Sequence, residues 1–203
     1  MVHRRELNGE EIVLGNQGAL WGQAMTWWDH ETGSIWSQPL GEAIAGPLQG
    51  QTLELLPSTL TTWEAWQASY PQTKALDAPG WRTGFHLRDM AVVVDLGTES
   101  VAYAIRSLRE VGVVNDVVAG VEVAVVVDPD DPQRWAVFSR RLDDTIAELV
   151  ITEHGLQDSF TGAVFDPFTG AGDNQSLDKL AAFTSFPDDY FTFFPDGRLW
   201  DSQ

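Results

Sequence analysis

The sequence predicts a β-rich α+β fold of two diverged repeat units, each built of mostly antiparallel strands with short helices, the first unit being incomplete. Three observations support this prediction: Val-rich segments of strand length, turn motifs between them, and a series of segments that recurs in the same order. Hydrophobic residues make up 43% of the 203 residues, so the chain can bury a substantial core.

The first unit is predicted to span residues 1–78 and to place strands on both sides of a tight turn. Its expected elements are, in order, strands at residues 25–28 and 34–38, a Gly/Pro loop at 41–50, a strand at 51–56 and a helix from 61 to 70. The strand residues are aromatic or β-branched, or they alternate in polarity. The helix is expected to begin at the capping-box pattern TTWE of residues 61–64 and to end before Pro71.

The second unit is predicted to span residues 79–203 and to be more complete. Its expected elements are strands at residues 91–95, 100–105 and 121–128 and a helix at 104–111. Valine dominates these strands, and Gly97 and the Ala-Gly pair at residues 119–120 mark turns. Gly112 is expected to end the helix.

One series of segments occurs twice along the chain. HRRELNGEEIVLGNQG and LWGQAMTWWDHETG near the start resemble SRRLDDTIAELVITEHG and LQDSFTGAVFDPFTG in the second half. The interval from Gly18 to Asp29 equals that from Gly155 to Asp166, and each Asp opens a D-x-x-T-G turn. Downstream, a Tyr-Pro pair in the first copy matches a Phe-Pro pair in the second. Three matched segments in one order favour a diverged duplication over chance similarity.

The two copies differ in what precedes them. Residues 82–138 stand before the second copy, whereas only Met1 and Val2 stand before the first. We therefore expect the first unit to begin part-way through and to lack its N-terminal half. A unit without those strands would leave apolar surface and a sheet edge uncovered.

Charge and composition exclude several classes of function. Thirty acidic residues against twelve basic ones give a net charge of -18, so neither nucleic acid nor an anionic membrane surface is an expected partner. No apolar run in the sequence is long enough to span a membrane. Because the chain has no cysteine, it can form no disulfide, thiolate metal site or cysteine nucleophile of its own.

The stretch MTWWDHETGSIWSQ, residues 25–38, combines turn chemistry with residues that a turn does not need. A tight hairpin explains its Asp, Thr and Gly, because the Asp side chain accepts local N–H bonds and the Gly can take a positive φ. It does not explain His30 and Glu31, because the second copy has Pro and Phe at the matching positions. These two residues are therefore candidates for a functional role.

A ligand pocket is one interpretation of this stretch. Its predicted wall consists of Asp29, His30, Glu31, Trp36 and Gln38. Six of the nine tryptophans lie in the first copy, and aromatic faces beside a histidine and two carboxylates can bind a small molecule. Ordinary aromatic packing of the core is the alternative, and the sequence leaves both open.

Other candidate motifs lack parts that their chemistry needs. Residues 41–50 have the glycines of a phosphate loop but no Gly-Lys-Ser/Thr. The segment DPDDP at residues 128–132 lacks the glycine and terminal glutamate of a calcium loop. The four histidines are far apart with no H-x-x-x-H pair, and no G-x-S-x-G elbow is present. We therefore predict no metal and no cofactor.

A resemblance to a known family rests on a long ordered motif. The string LGNQGALWGQAMTWWDHETGSIWSQPLGEAIAGPLQGQTLELLPSTLTTWEAW closely resembles the bacterial family called domain of unknown function 3179. Members of that family show D-x-E-T-G-S-x-W-x-Q, then G-x-A-I-x-G-P-L-x-G, then T-W-x-x-W. The second copy, with SVAYAIRSLREVGVVNDVVAGVEVAVVV, resembles the second half of the family. Together the two resemblances span nearly the whole chain.

The resemblance implies a function that depends on sequence upstream of this chain. Full-length relatives carry a C-P-x-C-type motif before the strand that resembles the start of this chain, with selenocysteine at its first position in some members. This implies a thiol/selenol redox protein whose CxxC or UxxC segment lies upstream and which acts on an unknown small molecule or a thiol partner. The alternative is a non-enzymatic extracytoplasmic module with a ligand-binding or structural role. Relatives are commonly exported or lipid-anchored, which implies a periplasmic or extracellular location for the full-length protein; this sequence departs from them in showing no signal segment.

Overall fold

The computed structural model describes residues 1–74, 89–128, 131 and 134–200. Its strands are β1 Glu6–Leu7, β2 Glu10–Glu11, β3 Leu14–Trp21, β4 Ala24–Asp29, β5 Ile35–Ser37, β6 Ala43–Ala45, β7 Ala91–Asp95, β8 Ser100–Ala104, β9 Val113–Val118, β10 Val121–Val127, β11 Trp135–Ser139, β12 Arg141–Leu142, β13 Thr145–Ile146, β14 Leu149–Thr152, β15 Gly155–Asp158, β16 Val164–Phe165, β17 Phe183–Ser185 and β18 Arg198–Trp200. Its helices are α1 Trp63–Ser69, α2 Ile105–Val111 and α3 Pro187–Phe193. The predicted β-rich α+β class is confirmed.

The strands pair almost throughout in the antiparallel sense. The four-stranded sheets have the orders β3-β4-β5-β6 and β17-β7-β8-β18, the three-stranded sheets β11-β10-β9 and β14-β15-β16, and the two-stranded sheets β1-β2 and β12-β13. The pairing of β18 with β8 is parallel. Within the described ranges no helix has the length and apolar character to cross a membrane, since α1, α2 and α3 have seven residues each.

The predicted hairpin around Asp29 is present, and two neighbouring predictions are wrong. β4 and β5 flank the turn, with Trp27 opposite Trp36. The segment expected to be a Gly/Pro loop contains β6, because the two positive-φ glycines Gly41 and Gly46 stand on either side of a short extended run. Residues 51–56 form no strand and make only the isolated bridges Glu42–Thr52 and His3–Leu55.

The Val-rich sheet of the second half is buried on both faces. Val92 and Val94 of β7 belong to a core cluster shared with β9, β10 and β11, whereas Ala91 and Val93 pack with Tyr190 of α3. Coverage on both faces explains why four consecutive residues of β7 are fully buried. The predicted β7–β8 hairpin is confirmed, as is the helix that ends at Gly112, whose φ is 76°.

The N-terminal and C-terminal segments have corresponding series of backbone hydrogen bonds. In the N-terminal segment these run, donor first, from Arg4 to Glu54, Ile12 to Arg5, Gly41 to Ser37, Leu53 to Gly41 and Leu56 to Val2. In the C-terminal segment they run from Ser139 to Asp178, Ala147 to Arg140, Gly170 to Asp166, Leu177 to Gly170 and Leu180 to Val137. All ten have lengths of 2.8 or 2.9 Å. Five backbone hydrogen bonds therefore have counterparts in the same order in the two segments, and α1 and α3 come after them.

Close contacts between rings and glycines repeat in the two segments. A Cβ on Gly41 would lie 2.6 Å from the His3 ring, and one on Gly170 would lie 2.8 Å from the Phe138 ring. Both glycines have positive φ, 63° and 75°, a region that favours glycine. Each glycine therefore lets an aromatic ring pack directly on the backbone of a turn.

The bonding pattern corrects the alignment of the two segments. Asp29, Asp158 and Asp166 each donate from their N–H to the carbonyl five residues on, so this bond does not distinguish them. Strand register does: Asp29 pairs with Leu14 and Asp158 pairs with Leu149, each at the end of the first hairpin. Asp166 lies in the next turn, at the position that Ser37 occupies in the N-terminal segment. Matching Asp29 with Asp166 was therefore wrong. The equal glycine-to-aspartate intervals misled because β3 and β4 are longer than β14 and β15, and because DSFTG at residues 158–162 is itself a D-x-x-T-G turn.

Candidate functional site

Asp29 is a buried hub of its own turn. Its carboxylate accepts hydrogen bonds from the N–H of Thr32 at 2.6 Å, the hydroxyl of Thr32 at 2.9 Å, the N–H of Ser34 at 3.0 Å and the indole N–H of Trp36 at 3.1 Å. Burial by itself would raise the pKa of Asp29, but these donors, led by the Thr32 N–H, hold that pKa below its ordinary value. The bonds fix the hairpin around Asp29, a residue that is only 1% exposed.

The other predicted wall residues do not form one surface with Asp29. His30 and Glu31 are exposed, and the His30 ring stacks on Trp28 with a centroid distance of 4.4 Å and an interplanar angle of 6°. Trp36 is fully buried beneath the turn. Gln38 is half-buried, and its backbone carbonyl lies 3.0 Å from Nε2 of His3. A functional role for His30 and Glu31 stays a prediction.

A groove elsewhere in the molecule combines charged, aromatic and hydroxyl side chains. This groove, called the interface groove below, has a volume of about 300 Å³. It is lined by Pro57, Ser58, Thr59, Thr61, Trp66, Ser69, Tyr70, Arg134, Asp166, Phe168, Thr169 and Lys179. One wall thus comes from α1 and the segment before it, and the other comes from three separate segments of the C-terminal half.

Lys179 joins the two walls of the interface groove. Its ammonium group donates to the hydroxyl of Thr59 at 2.6 Å and lies 5.8 Å from the centroid of the Phe138 ring. Burial lowers the pKa of Lys179 below its ordinary value, and the nearby charge of Asp166 opposes this shift. The ammonium therefore stays a poorly hydrated donor at the side of the groove.

Arg134 and the turn at Asp166 build the rest of the C-terminal wall. The Arg134 guanidinium lies 3.9 Å from the centroid of the Phe168 ring and donates to Asp128 at 3.3 Å. Oδ1 of Asp166 accepts from the N–H groups of Phe168 and Thr169 and from the Thr169 hydroxyl. Burial would raise the pKa of Asp166, but these donors and Arg134 keep it below its ordinary value.

The aromatic wall is held by contacts within the N-terminal half. Trp66 and Tyr70 have ring centroids 4.3 Å apart and are inclined by 33°. The indole N–H of Trp66 donates to the Thr73 hydroxyl at 3.1 Å. Trp66 is half-buried, so one part of its ring stays open to the groove. The groove can therefore offer a flat apolar face together with cationic donors.

Comparison with known families adds one finding. Residues 1–86 match the family described as Protein of unknown function (DUF3179). Over these residues, which are less than half of the chain, the sequence is similar to DUF3179. No curated protein and no solved structure matches the chain. The family resemblance stated from the sequence is thus confirmed over residues 1–86, while the resemblance of the second half and the upstream cysteine or selenocysteine motif stay predictions.

The DUF3179 match contains only one wall of the interface groove. The Asp29 turn, Trp66 and Tyr70 lie inside the matched residues, whereas Arg134 and Lys179 lie outside them. Sequence reasoning missed the groove because its walls come from distant parts of the chain. The one local signal was Arg134, which directly precedes Trp135, and no neighbour in the sequence marks Lys179.

The part of the chain that the structure describes offers no cluster of three or more His, Asp or Glu side chains arranged to hold a metal ion. The calcium-loop alternative falls largely on residues 129, 130 and 132, which lie outside the described residues. The predicted boundary between residues 78 and 79 also lies outside them. Both therefore stay predictions.

Proposed function

We propose that the protein is a ligand-binding module whose small-molecule ligand lies in the interface groove. The observation that carries this proposal is that the half-buried cation of Lys179 and the aromatic pair Trp66 and Tyr70 line the same concavity. Ligand sites in proteins are concave, mostly apolar, and carry a few polar groups that orient the ligand. A volume of about 300 Å³ suits a small ligand.

We also propose that the groove lies between two units related by duplication, residues 1–78 and 79–203. The shared series of backbone hydrogen bonds supports this origin. The match continues into the helices, because the N–H of Trp66 donates to Thr62 and the N–H of Tyr190 donates to Phe186 in the same way. Trp66 and Tyr190 therefore hold the same position in α1 and α3.

The different surroundings of these two residues support a ligand role for Trp66. Tyr190 is fully buried against the β7–β8 sheet and its hydroxyl donates to Ser100 at 3.2 Å. Trp66 has no such sheet over it among the described residues and faces the groove. An aromatic side chain that packs in the core of one unit but is half-exposed in the other can pack against a ligand instead.

The redox hypothesis depends on sequence that this chain does not contain. The 203 residues include no cysteine, and no side chain in the described ranges supplies a thiol or selenol. The hypothesis stays a prediction about upstream sequence, as does the extracytoplasmic location. The ligand-binding proposal needs neither, because all the side chains that it uses are in this chain.

Two tryptophans of one helix provide the test. Trp66→Ala removes part of the groove wall, whereas Trp63→Ala removes a tryptophan that is 45% exposed and does not line the groove. Saturation-transfer NMR with a library of small aromatic and aliphatic molecules should find ligands whose signal Trp66→Ala abolishes and Trp63→Ala leaves unchanged. Lys179→Met provides a second groove variant, and circular dichroism checks that each variant is folded. If neither groove variant changes any ligand's signal, the proposal is wrong.

A further inference from the structure

Positive charge is scarce in this protein, and the interface groove holds two of its basic side chains. Only twelve Lys and Arg residues stand against thirty acidic ones. Arg134 and Lys179 both line the groove, on the same wall. Most of the surface repels an anion, so a concavity lined by two cations is a local site of attraction.

The ammonium group of Lys179 has capacity for a ligand. An ammonium carries three N–H donors, and one of them is directed to Thr59 in the described structure. The neighbouring Phe138 ring offers only its π face, at 5.8 Å. A carboxylate in the groove would give this poorly hydrated cation the charged acceptor that a hydroxyl does not provide.

The Arg134 side chain is held in one position, which favours specific binding of an anion over nonspecific electrostatic attraction. Its guanidinium is planar, lies against the Phe168 ring and is paired with Asp128. Its side chain is only 28% exposed. Because the group is already ordered, binding an anion beside it costs little additional side-chain entropy.

Asp166 does not cancel these two cations. Three donors from its own turn already converge on its Oδ1. Its negative charge is therefore stabilised within the turn, and Arg134 is paired with Asp128, so Lys179 is the cation of the groove that has no carboxylate hydrogen-bonded to its ammonium group among the described contacts. The opposite wall adds the aromatic faces of Trp66 and Tyr70.

We propose that the ligand of the interface groove is a small organic acid, with its carboxylate bound by Lys179 beside Arg134 and its flat apolar part against Trp66 and Tyr70. This inference rests on the proposed ligand-binding function and adds the chemical class of the ligand. The aromatic wall selects for a planar group, and the cationic wall selects for a negative charge.

Three probe molecules separate the contribution of the negative charge to binding from the contribution of the aromatic ring. Benzoate carries both features, benzamide keeps the ring without the charge, and acetate keeps the charge without the ring. Dissociation constants are measured by NMR titration with the whole chain at pH 7 and constant ionic strength. We expect benzoate to bind about tenfold more tightly than either of the other probes, the gain typical of one charge-assisted hydrogen bond or one aromatic contact.

Variants of Lys179 assign the charge preference to this residue. Lys179→Met should lower the affinity for benzoate to that for benzamide. Lys179→Arg should retain at least part of the preference for benzoate because it keeps the positive charge. Equal binding of benzoate and benzamide by the wild type, with both lost in Trp66→Ala, would overturn the organic-acid inference and leave the ligand-binding proposal standing. A benzoate preference that survives Lys179→Met would also overturn it. If neither Trp66→Ala nor Lys179→Met alters the binding of any library member or probe, both proposals fail.

Discussion

The ammonium nitrogen of Lys179 lies 2.6 Å from the hydroxyl oxygen of Thr59, and this bond joins two segments that are 120 residues apart in sequence. Thr59 stands just before α1, and Lys179 follows the turn that carries Asp166. The bond therefore sets the distance between the aromatic and cationic walls of the interface groove. An anion in the groove would bind the ammonium group beside the Thr59 hydroxyl, because the ammonium has two further N–H donors.

Removing the Thr59 hydroxyl should weaken the contact between the two halves. We expect Thr59→Val to lower the free energy of unfolding by about 1 kcal/mol, the usual net contribution of one partly exposed hydrogen bond. Thr61→Val, at the other threonine that lines the groove before α1, is the matched control and should change stability by less. Urea unfolding followed by circular dichroism measures both, and an equal loss in the two variants would contradict the prediction.

The titration of Lys179 should be visible in ligand binding. Because the pKa of Lys179 is lowered by burial, the ammonium should lose its proton at a pH below that of an ordinary lysine. Benzoate affinity is then highest at low pH, where Lys179 is charged, and falls as the pH rises through this lowered pKa. NMR titrations between pH 7 and pH 10 measure the decline. Lys179→Arg should bind with an affinity that stays constant over this range, because arginine keeps its charge.

The turn at Asp29 should depend on its carboxylate far more than on its exposed residues. Asp29→Ala leaves the buried N–H groups of Ser34 and Trp36 without their acceptor, at a cost of about 2–4 kcal/mol in unfolding free energy. Glu31→Ala in the same turn changes an exposed side chain and should cost less than about 0.5 kcal/mol. Chemical unfolding of the two variants checks this. Similar losses of unfolding free energy would show that the Asp29 carboxylate does not hold the turn together.

Local chemistry made part of this structure predictable. The Asp29 hairpin, the β7–β8 hairpin and the end of α2 at Gly112 follow from turn residues and Val-rich runs within a few positions of one another. The interface groove does not, because Thr59 and Lys179 meet only through tertiary packing. β6 was missed because three residues between glycines carry little propensity of their own.

The alignment of the two segments failed for a related reason. Three D-x-x-T-G turns occur in the sequence, at Asp29, Asp158 and Asp166, and spacing alone selected the wrong pair. Strand register distinguishes them, since Leu14 pairs with Asp29 and Leu149 pairs with Asp158. Register depends on hairpin length, and that length differs between the segments.

Acid should remove the stabilisation that Asp29 provides. Its pKa in the folded protein is below the ordinary value of about 3.9 found in unfolded chains, so the stabilisation is complete above that value. It declines as the pH falls through the lower pKa of the folded state, because the carboxylate must then be protonated. We expect wild type to be more stable than Asp29→Asn at pH 7, and the difference to shrink below about pH 4. A difference that is constant from pH 7 to pH 3 would contradict this.

Two arginines hold corresponding positions in the backbone hydrogen-bond series but differ in burial. Arg5 and Arg140 each accept the corresponding backbone bond, from Ile12 and Ala147 respectively, but their surroundings differ. The Arg140 side chain is 10% exposed and donates to Glu148 and to the carbonyls of Ala147 and Asp116. The Arg5 side chain is 58% exposed and pairs only with Glu11 among the described residues.

We therefore expect the same substitution to have different effects at the two positions. Arg140→Met removes the donors of a buried network and should cost about 3 kcal/mol in unfolding free energy, because it leaves the Glu148 carboxylate and a buried carbonyl without their partner. Arg5→Met removes an exposed ion pair and should cost less than about 1 kcal/mol. Urea unfolding of both variants at pH 7 gives the comparison. Equal losses would contradict the difference in burial between the two arginine side chains.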